Sequence, residues 1–326
     1  MATADPEASV REVPPATAEP STRLPTPDEA YDKALLESEA HRAVMRKRFE
    51  DAGTDVRVEF ANSRIGFFAQ MNFCLNVAHY AELTGRRAYV TLSSDNYRDP
   101  DHGPNWFHYF FDQIIGYPPP HAECITVLDC CELPFDTDAF ELRSARDLFF
   151  RHFAIRPEFM ELVDLRARTM KVGPTTLGVH YRGTDKDREA VSVARWDAIA
   201  RIEAVLETAP SIDRVFVASE DAVFVRSIQA AIADVPVVSL PDSIRSEGDR
   251  PVHLSGLRRG NRAMGQDALL NALMLARCGR LVRTTSFLSA WSSIFNPDIP
   301  VAMLNRPRSE CLWFPETRVL ERAEML

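Results

Sequence analysis

The second half of the chain leaves few folds open. From about residue 176 to 304, short apolar runs alternate with helical stretches. Strands read at 177–179, 214–218, 235–240, 280–282 and 299–304, and helices at 196–209, from 222 to about 233, at 265–278 and at 290–295. Alternation of this kind with short links specifies a parallel sheet. The segment 241–262 breaks the rhythm as a long polar loop with Gly248, Gly256 and Gly260.

The first half carries a smaller unit of the same kind. Val56-Arg-Val-Glu-Phe60 alternates as a strand should, Asn62-Ser-Arg-Ile-Gly66 is a turn, and a helix over 67–83 carries Phe68, Met71, Cys74, Leu75 and Ala78. Gly85 stops that helix and 88–92 is a second strand. Ahead of it, Thr26-Pro-Asp-Glu29 reads as a capping box that opens a helix to about Asp51. Residues 1–25 are rich in Pro, Ala, Glu, Ser and Thr, and are expected to be disordered. Residues 118–150 read as loops and short elements, and 156–170 as a helix. Lys171-Val-Gly-Pro174 looks like a hinge. The expected organisation is therefore a tail (1–25), an N-terminal Rossmann-like α/β domain (26–173), a C-terminal one (174–310) and a terminal tail or helix (311–326), with a cleft between the two domains. A chain of 326 residues is long enough for two domains.

Composition removes several functions. The net charge is −9 and the pI about 5.5, which argues against nucleic acid or an anionic membrane as the main partner. No apolar stretch approaches the roughly 20 residues of a membrane span, and no signal-peptide core is visible, so a cytoplasmic protein without a transmembrane anchor is expected. Cys74, Cys124, Cys130, Cys131, Cys278 and Cys311 show no zinc spacing and read as free thiols. Asp99, Asp101, His102 and His108 are ligand types, but nothing in their spacing enforces a geometry, so no metal is expected. The aromatic run around them, up to Phe111, reads as core.

The chemistry concentrates where strands end. Thr176-Leu-Gly-Val-His-Tyr-Arg-Gly-Thr-Asp-Lys186 is an apolar strand that stops abruptly in charge. Alternation along the strand puts His180 and Arg182 on one face and Tyr181 on the other. Ligands of open α/β sheets sit beyond the carboxyl ends of strands, and the planar, permanently charged fork of arginine suits a diphosphate. A solvated ion pair at a strand end would have the same residue types. Further polar groups fall at the same edge. Ser219-Glu220-Asp221 follows a strand and also fits a helix cap. Asp267 and Asn271 stand one turn apart on a helix face. Thr284-Thr-Ser-Phe-Leu-Ser289 is a hydroxyl-rich helix start of the sort that binds anions. Gly66 lies in the first strand-to-helix loop, followed by Gln70.

His180-Tyr-Arg-Gly-Thr-Asp-Lys186 resembles the first signature of the α-1,6-fucosyltransferase group, usually His-Val-Arg-Arg-Thr-Asp-Lys, within a superfamily that includes the nodulation and protein O-fucosyltransferases. Ser219-Glu220-Asp221 is similar to that family's Thr-Asp-Asp, and Thr284 to Ser289 to its third signature. The resemblance implies a GT-B fold of two Rossmann-like domains facing across a cleft. It implies inverting, metal-independent transfer of L-fucose from GDP-fucose to a hydroxyl of a glycan or glycoconjugate, with no cofactor. His180, Arg182, Lys186, Glu220, Asp221, Asp267, Asn271, Thr285, Ser286 and Gly66 would bind the donor. Arg182 would stabilise the leaving diphosphate, and Glu189, with Asp185 as the alternative, would be the base. Two departures stand out. Gly183 stands where the family usually has a second arginine, so that one phosphate or acceptor contact is missing or Arg188 supplies it, and Asn271 stands where the family has an aspartate that reads guanine. A transferase of this fold using another nucleotide sugar, or a binding protein without turnover, is the alternative.

Overall fold

The computed structural model describes residues 38–62, 65–129, 132–133, 140–183, 189–247 and 260–326. The expected tail 1–25 and the capping box at Thr26 lie outside them. Helix α1 (Glu39–Asp51) starts at an extended Ser38, whose hydroxyl accepts the His41 N–H at 3.1 Å. The helix expected to run on from residue 26 has its start at Ser38 in the described part, and residues 26–37 lie outside the described residues. Strand β1 (Asp55–Phe60) leads into α2 (Phe67–Thr84), which Gly85 ends in a left-handed conformation at φ 66°. Strand β2 (Arg87–Leu92) follows, then the short α3 (Phe107–Phe110), β3 (Phe111–Gln113) and β4 (Glu123–Val127). Helix α4 (Leu142–His152), β5 (Phe153–Ile155) and α5 (Pro157–Met170) complete the first half. The segment 118–150, expected as loops and short elements, holds the five-residue β4 and most of the eleven-residue α4.

Strand β6 (Thr176–His180) opens the second half. It is followed by α6 (Arg195–Thr208), β7 (Arg214–Ala218), α7 (Ala222–Ala231) and β8 (Val237–Val238). Then come α8 (Asn261–Ala276), β9 (Arg280–Arg283), α9 (Phe287–Phe295), β10 (Val301–Met303), α10 (Glu316–Leu320) and β11 (Glu324–Met325). Helix α8 begins four residues before Gly265, which is buried inside it, where a Cβ would meet the Phe110 ring at 2.6 Å. Residues 311–326, expected as a tail or helix, hold α10 and an edge strand of the second sheet.

The sheets are parallel. The first has order β2-β1-β4 and the second β11-β10-β9-β6-β7-β8, while β3 and β5 form a separate antiparallel pair. Side-chain alternation sorts the second sheet into two faces. Val215 and Val217 of β7 join one apolar cluster with Leu177, Val179, Ile199 and Ile202. Phe216 and Ala218 join the other. That second cluster runs without a break from Met45 and Phe49 through α2 to Trp291 and Val319, so the two sheets share a core. Helix α2 is buried on all sides from Phe67 to Ala78, as a helix between two layers must be, and only its last turn reaches solvent. Asn72 of α2 joins the halves through both ends of its amide: Nδ2 donates to the Phe314 carbonyl at 2.6 Å, and Oδ1 accepts from the Trp291 Nε1 at 2.9 Å. Asn261 makes a second link, donating to the Asp95 and Arg98 carbonyls. Cys74, Cys124, Cys278 and Cys311 are free thiols. Among the described residues no helix is long and apolar enough to cross a membrane.

Candidate active site

The strand order places the site. The chain leaves β6 toward β7 and β8, then returns to β9 on the other flank of β6. Where the winding reverses, the two carboxyl ends diverge and leave a crevice that ligands of this sheet type occupy. His180 and Arg283, the last residues of β6 and β9, are register partners there. Hydrogen bonds stitch the two turns together: Thr284 N–H donates to the His180 carbonyl at 3.0 Å, and Arg182 N–H donates to Thr284 Oγ1 at 2.9 Å. The Ser219 hydroxyl donates to the Tyr181 carbonyl at 2.7 Å, holding the β7 end to the same turn.

A cavity of about 390 Å³ opens at this edge, and both halves of the chain line it. From the second half it takes His180, Arg182, Glu189 and Glu220, together with Asp267, Asn271 and Ser286. From the first half it takes Gly66, Phe67, Phe68, Asn96 and Tyr97. Most of the residues singled out in the sequence therefore meet around one space. Arg182 is a quarter exposed, with Nε 3.4 Å from a Glu220 carboxylate oxygen. Glu220 thus orients the guanidinium at the cavity wall.

Asp267 and Asn271 form one polar cluster with Ser243. The Asp267 carboxylate accepts from Ser243 Oγ at 2.7 Å, from Ile244 N–H at 3.4 Å and from Asn271 Nδ2 at 3.0 Å. Burial raises its pKa, and these donors only partly offset that. Asn271 Nδ2 also faces the Asp267 carbonyl at 2.9 Å, so its hydrogens point at acceptors. That fixes the amide orientation, since the reverse would set two oxygens against each other. Asn271 Oδ1 is left buried without a hydrogen-bond partner among the described residues. Ser286 caps α9, and its buried hydroxyl likewise has no partner among them. Buried polar atoms of this kind are uncommon in folded proteins and call for a partner.

Gly66 caps α2 with ordinary backbone angles, and nothing in the protein lies within 4 Å of where its Cβ would be. No conformational need for glycine exists there; what its missing side chain leaves is room at the cavity wall. Gly183 is different. A Cβ would come within 2.5 Å of Tyr181 Oη, whose ring stacks on Phe224 at 4.1 Å and whose hydroxyl donates to the Val193 carbonyl at 2.7 Å. The tyrosine at 181 therefore excludes any side chain at 183.

Two expected donor contacts do not reach the cavity. Asp221 caps α7, accepting the Phe224 N–H at 3.0 Å, and pairs with Arg195 at 2.5 Å. It is consumed by structure. Thr285 is buried, and its N–H donates to Asn305 Oδ1 at 2.8 Å. Its neighbour Ser286 lines the space instead. Asp185, Lys186 and Arg188 lie outside the described residues. Sequence reasoning passed over Tyr97, which closes the cavity from the first half, and Arg283. The latter is fully buried, pairs with Glu316 at 2.6 Å, and donates to Ser289 Oγ and to the Ser286 carbonyl. The metal-type cluster at Asp99 serves the local turn, with Asp99 accepting the Asp101 N–H at 3.0 Å.

The sequence matches no protein-family profile and no curated protein. Solved structures do resemble it. NodZ alpha-1,6-fucosyltransferase, soaked with GDP-fucose, superposes with a TM-score of 0.51 at 17% identity, over 76% of this chain and 95% of its own. The chain has the fold of this fucosyltransferase. An Arabidopsis thaliana FUT1 variant in complex with GDP matches at a TM-score of 0.46 and 12% identity, over 88% of this chain and 82% of its own. POFUT1 in an apo-form matches at 0.37 and 11%, over 82% of each chain. The mixed α/β architecture with parallel sheets agrees with that fold.

Proposed function

We propose that the protein is an inverting, metal-independent glycosyltransferase of the GT-B type that moves L-fucose from GDP-fucose to a hydroxyl of a glycan or glycoconjugate. The observation that carries this reading is the meeting, in one cavity at the reversal of the sheet, of three complementary groups. Arg182 brings fixed positive charge, the Ser286 start of α9 brings a hydroxyl and helix-end amides, and Asn271 Oδ1 brings an unoccupied acceptor. Together they suit a diphosphate at one end and the hydrogen-bonding edge of a base at the other.

In transfer, the acceptor oxygen bonds to C1 of the sugar as the bond from C1 to the diphosphate oxygen breaks, and the acceptor's proton passes to a base. Positive charge builds on the sugar and negative charge on the leaving diphosphate. Arg182, His180 and the Ser286 helix start face that developing charge. Glu189 lines the same cavity and is the assigned base, with Asp185 as the alternative.

Asn271 favours a second reading by name. A carboxylate at its position would accept from two guanine N–H groups at once, whereas Asn271 Oδ1 is one acceptor whose amide hydrogens are already spent on Asp267 and Ser243. A single acceptor also suits another base, so a transferase with a different nucleotide sugar fits the same walls. A calorimetric titration of GDP, UDP and ADP, without and with EDTA, tests both. EDTA-insensitive GDP binding is the expected result. Preference for UDP or ADP would change the donor and keep the chemistry. No binding of any of them would remove the proposal.

A further inference from the structure

We infer that Tyr97 is a ligand-contacting hydrogen-bond donor that hands the positive end of α2 to an anionic oxygen held by Arg182. The inference rests on the diphosphate reading of the cavity and adds a residue to it. Tyr97 lines the cavity and is 8% exposed. Its ring is wedged edge-on against Phe67 at 5.4 Å and beside Trp106 at 5.0 Å, so the phenol cannot swing away.

The phenol oxygen accepts the Phe67 N–H at 2.8 Å. Phe67 is the first residue of an eighteen-residue helix, and its N–H is one of the four that a helix start leaves without an internal partner. Tyr97 satisfies that amide and is polarised by it, because a hydroxyl that accepts a hydrogen bond becomes a better donor. Its own proton is still to be given, and no described residue takes it. Burial pushes the phenol to about 12, so the proton is present at any working pH. Tyr97, Arg182 and Glu220 line the same cavity, so the phenol and the guanidinium border one space.

The pieces fit one use. An oxygen anion seated on Arg182 would receive a second, uncharged hydrogen bond from Tyr97. A donor fixed in advance gains strength as negative charge grows on the leaving diphosphate. The first amide of the helix is covered by the phenol oxygen, and the tyrosine extends that amide's reach by one hydroxyl.

The test uses inorganic pyrophosphate, GDP and guanosine as probes of the full-length protein and its Tyr97→Phe variant. The variant keeps the ring packing and removes only the hydroxyl. Pyrophosphate and GDP affinity should fall about tenfold or more, the usual worth of a hydrogen bond to a charged group, while guanosine affinity stays unchanged. Equal loss for guanosine, or no loss for pyrophosphate, would make Tyr97 a structural cap and overturn the inference. In the wild-type protein the Cζ resonance of labelled Tyr97 should shift on adding pyrophosphate, and an unmoved resonance would overturn it without any variant. Wild-type protein that binds pyrophosphate but not GDP would cost the donor assignment alone. Protein that binds neither would take both readings down.

Discussion

Two arginines stand one strand apart at the carboxyl edge of the second sheet, and they live different lives. Arg283, at the end of β9, is fully buried with Glu316 and braces the Ser286 turn from beneath. Arg182, just past β6, is a quarter exposed and meets Glu220 at 3.4 Å across the cavity wall. A third pair, Arg87 with Asp55 on the first sheet, reaches into solvent on the arginine side. The chemistry of the three pairs is the same; what differs is how deeply each is buried. A fully buried pair is a strut, while a partly exposed one at a cavity faces a ligand's space.

The comparison breaks most visibly at the strut. Glu316→Ala leaves a buried guanidinium without its counter-charge and should cost about 3–5 kcal/mol of stability in urea unfolding; a loss under about 1 kcal/mol would mean Arg283 is not held as described. Arg182→Ala should reverse the pattern. Stability should change by less than about 1 kcal/mol, while turnover with donor and acceptor should fall about 100-fold to 1,000-fold. An unaltered rate with altered folding would exchange the roles of the two arginines. Gly183→Ala, in the same turn, should lose about 1–3 kcal/mol by overpacking against Tyr181. Tyr181→Val should recover much of that in the double variant; simple additivity would refute the steric coupling.

The smallest effect belongs to the outer pair. The Arg87 guanidinium holds the Asp55 carboxyl down to about 2 from its ordinary 3.8. Because the folded-state value is the lower one, the stabilisation is present above the ordinary value and is lost as pH falls toward 2. The acid limb of a stability–pH curve should therefore be shallower in Asp55→Asn, and an identical limb would show that the pair contributes nothing there.

Local pattern carried the sequence reading as far as local pattern reaches. The strand 176–180 ends in its charged turn because an apolar run that stops in His-x-Arg has one place to lie, and the Gly85 stop is a backbone need visible in one residue. Helix α4 was passed over although Leu142, Ala145, Leu148 and Phe149 mark a buried face at helical spacing; the short polar run ahead of it masked the period. Asp221 misled because an acidic residue after a strand looks the same as a ligand contact and as a cap, and only the Arg195 pairing decides. Tyr97 meets its amide 30 residues away and Arg283 its carboxylate 33 residues away. Nothing in a window of sequence can announce such partners. The reason for Gly183 was hidden for another cause, since it depends on where the Tyr181 ring lies.

The amide of Asn72 has a mechanical meaning. One side chain is bolted to α9 through Trp291 and to the chain before α10 through Phe314, with no water to replace either bond cheaply if they part. With the shared core around it, the molecule resembles a riveted frame more than a pair of jaws. Aspartate at position 72 would fit the same volume yet could offer no hydrogen to the Phe314 carbonyl, so a single atom's exchange should loosen the whole frame.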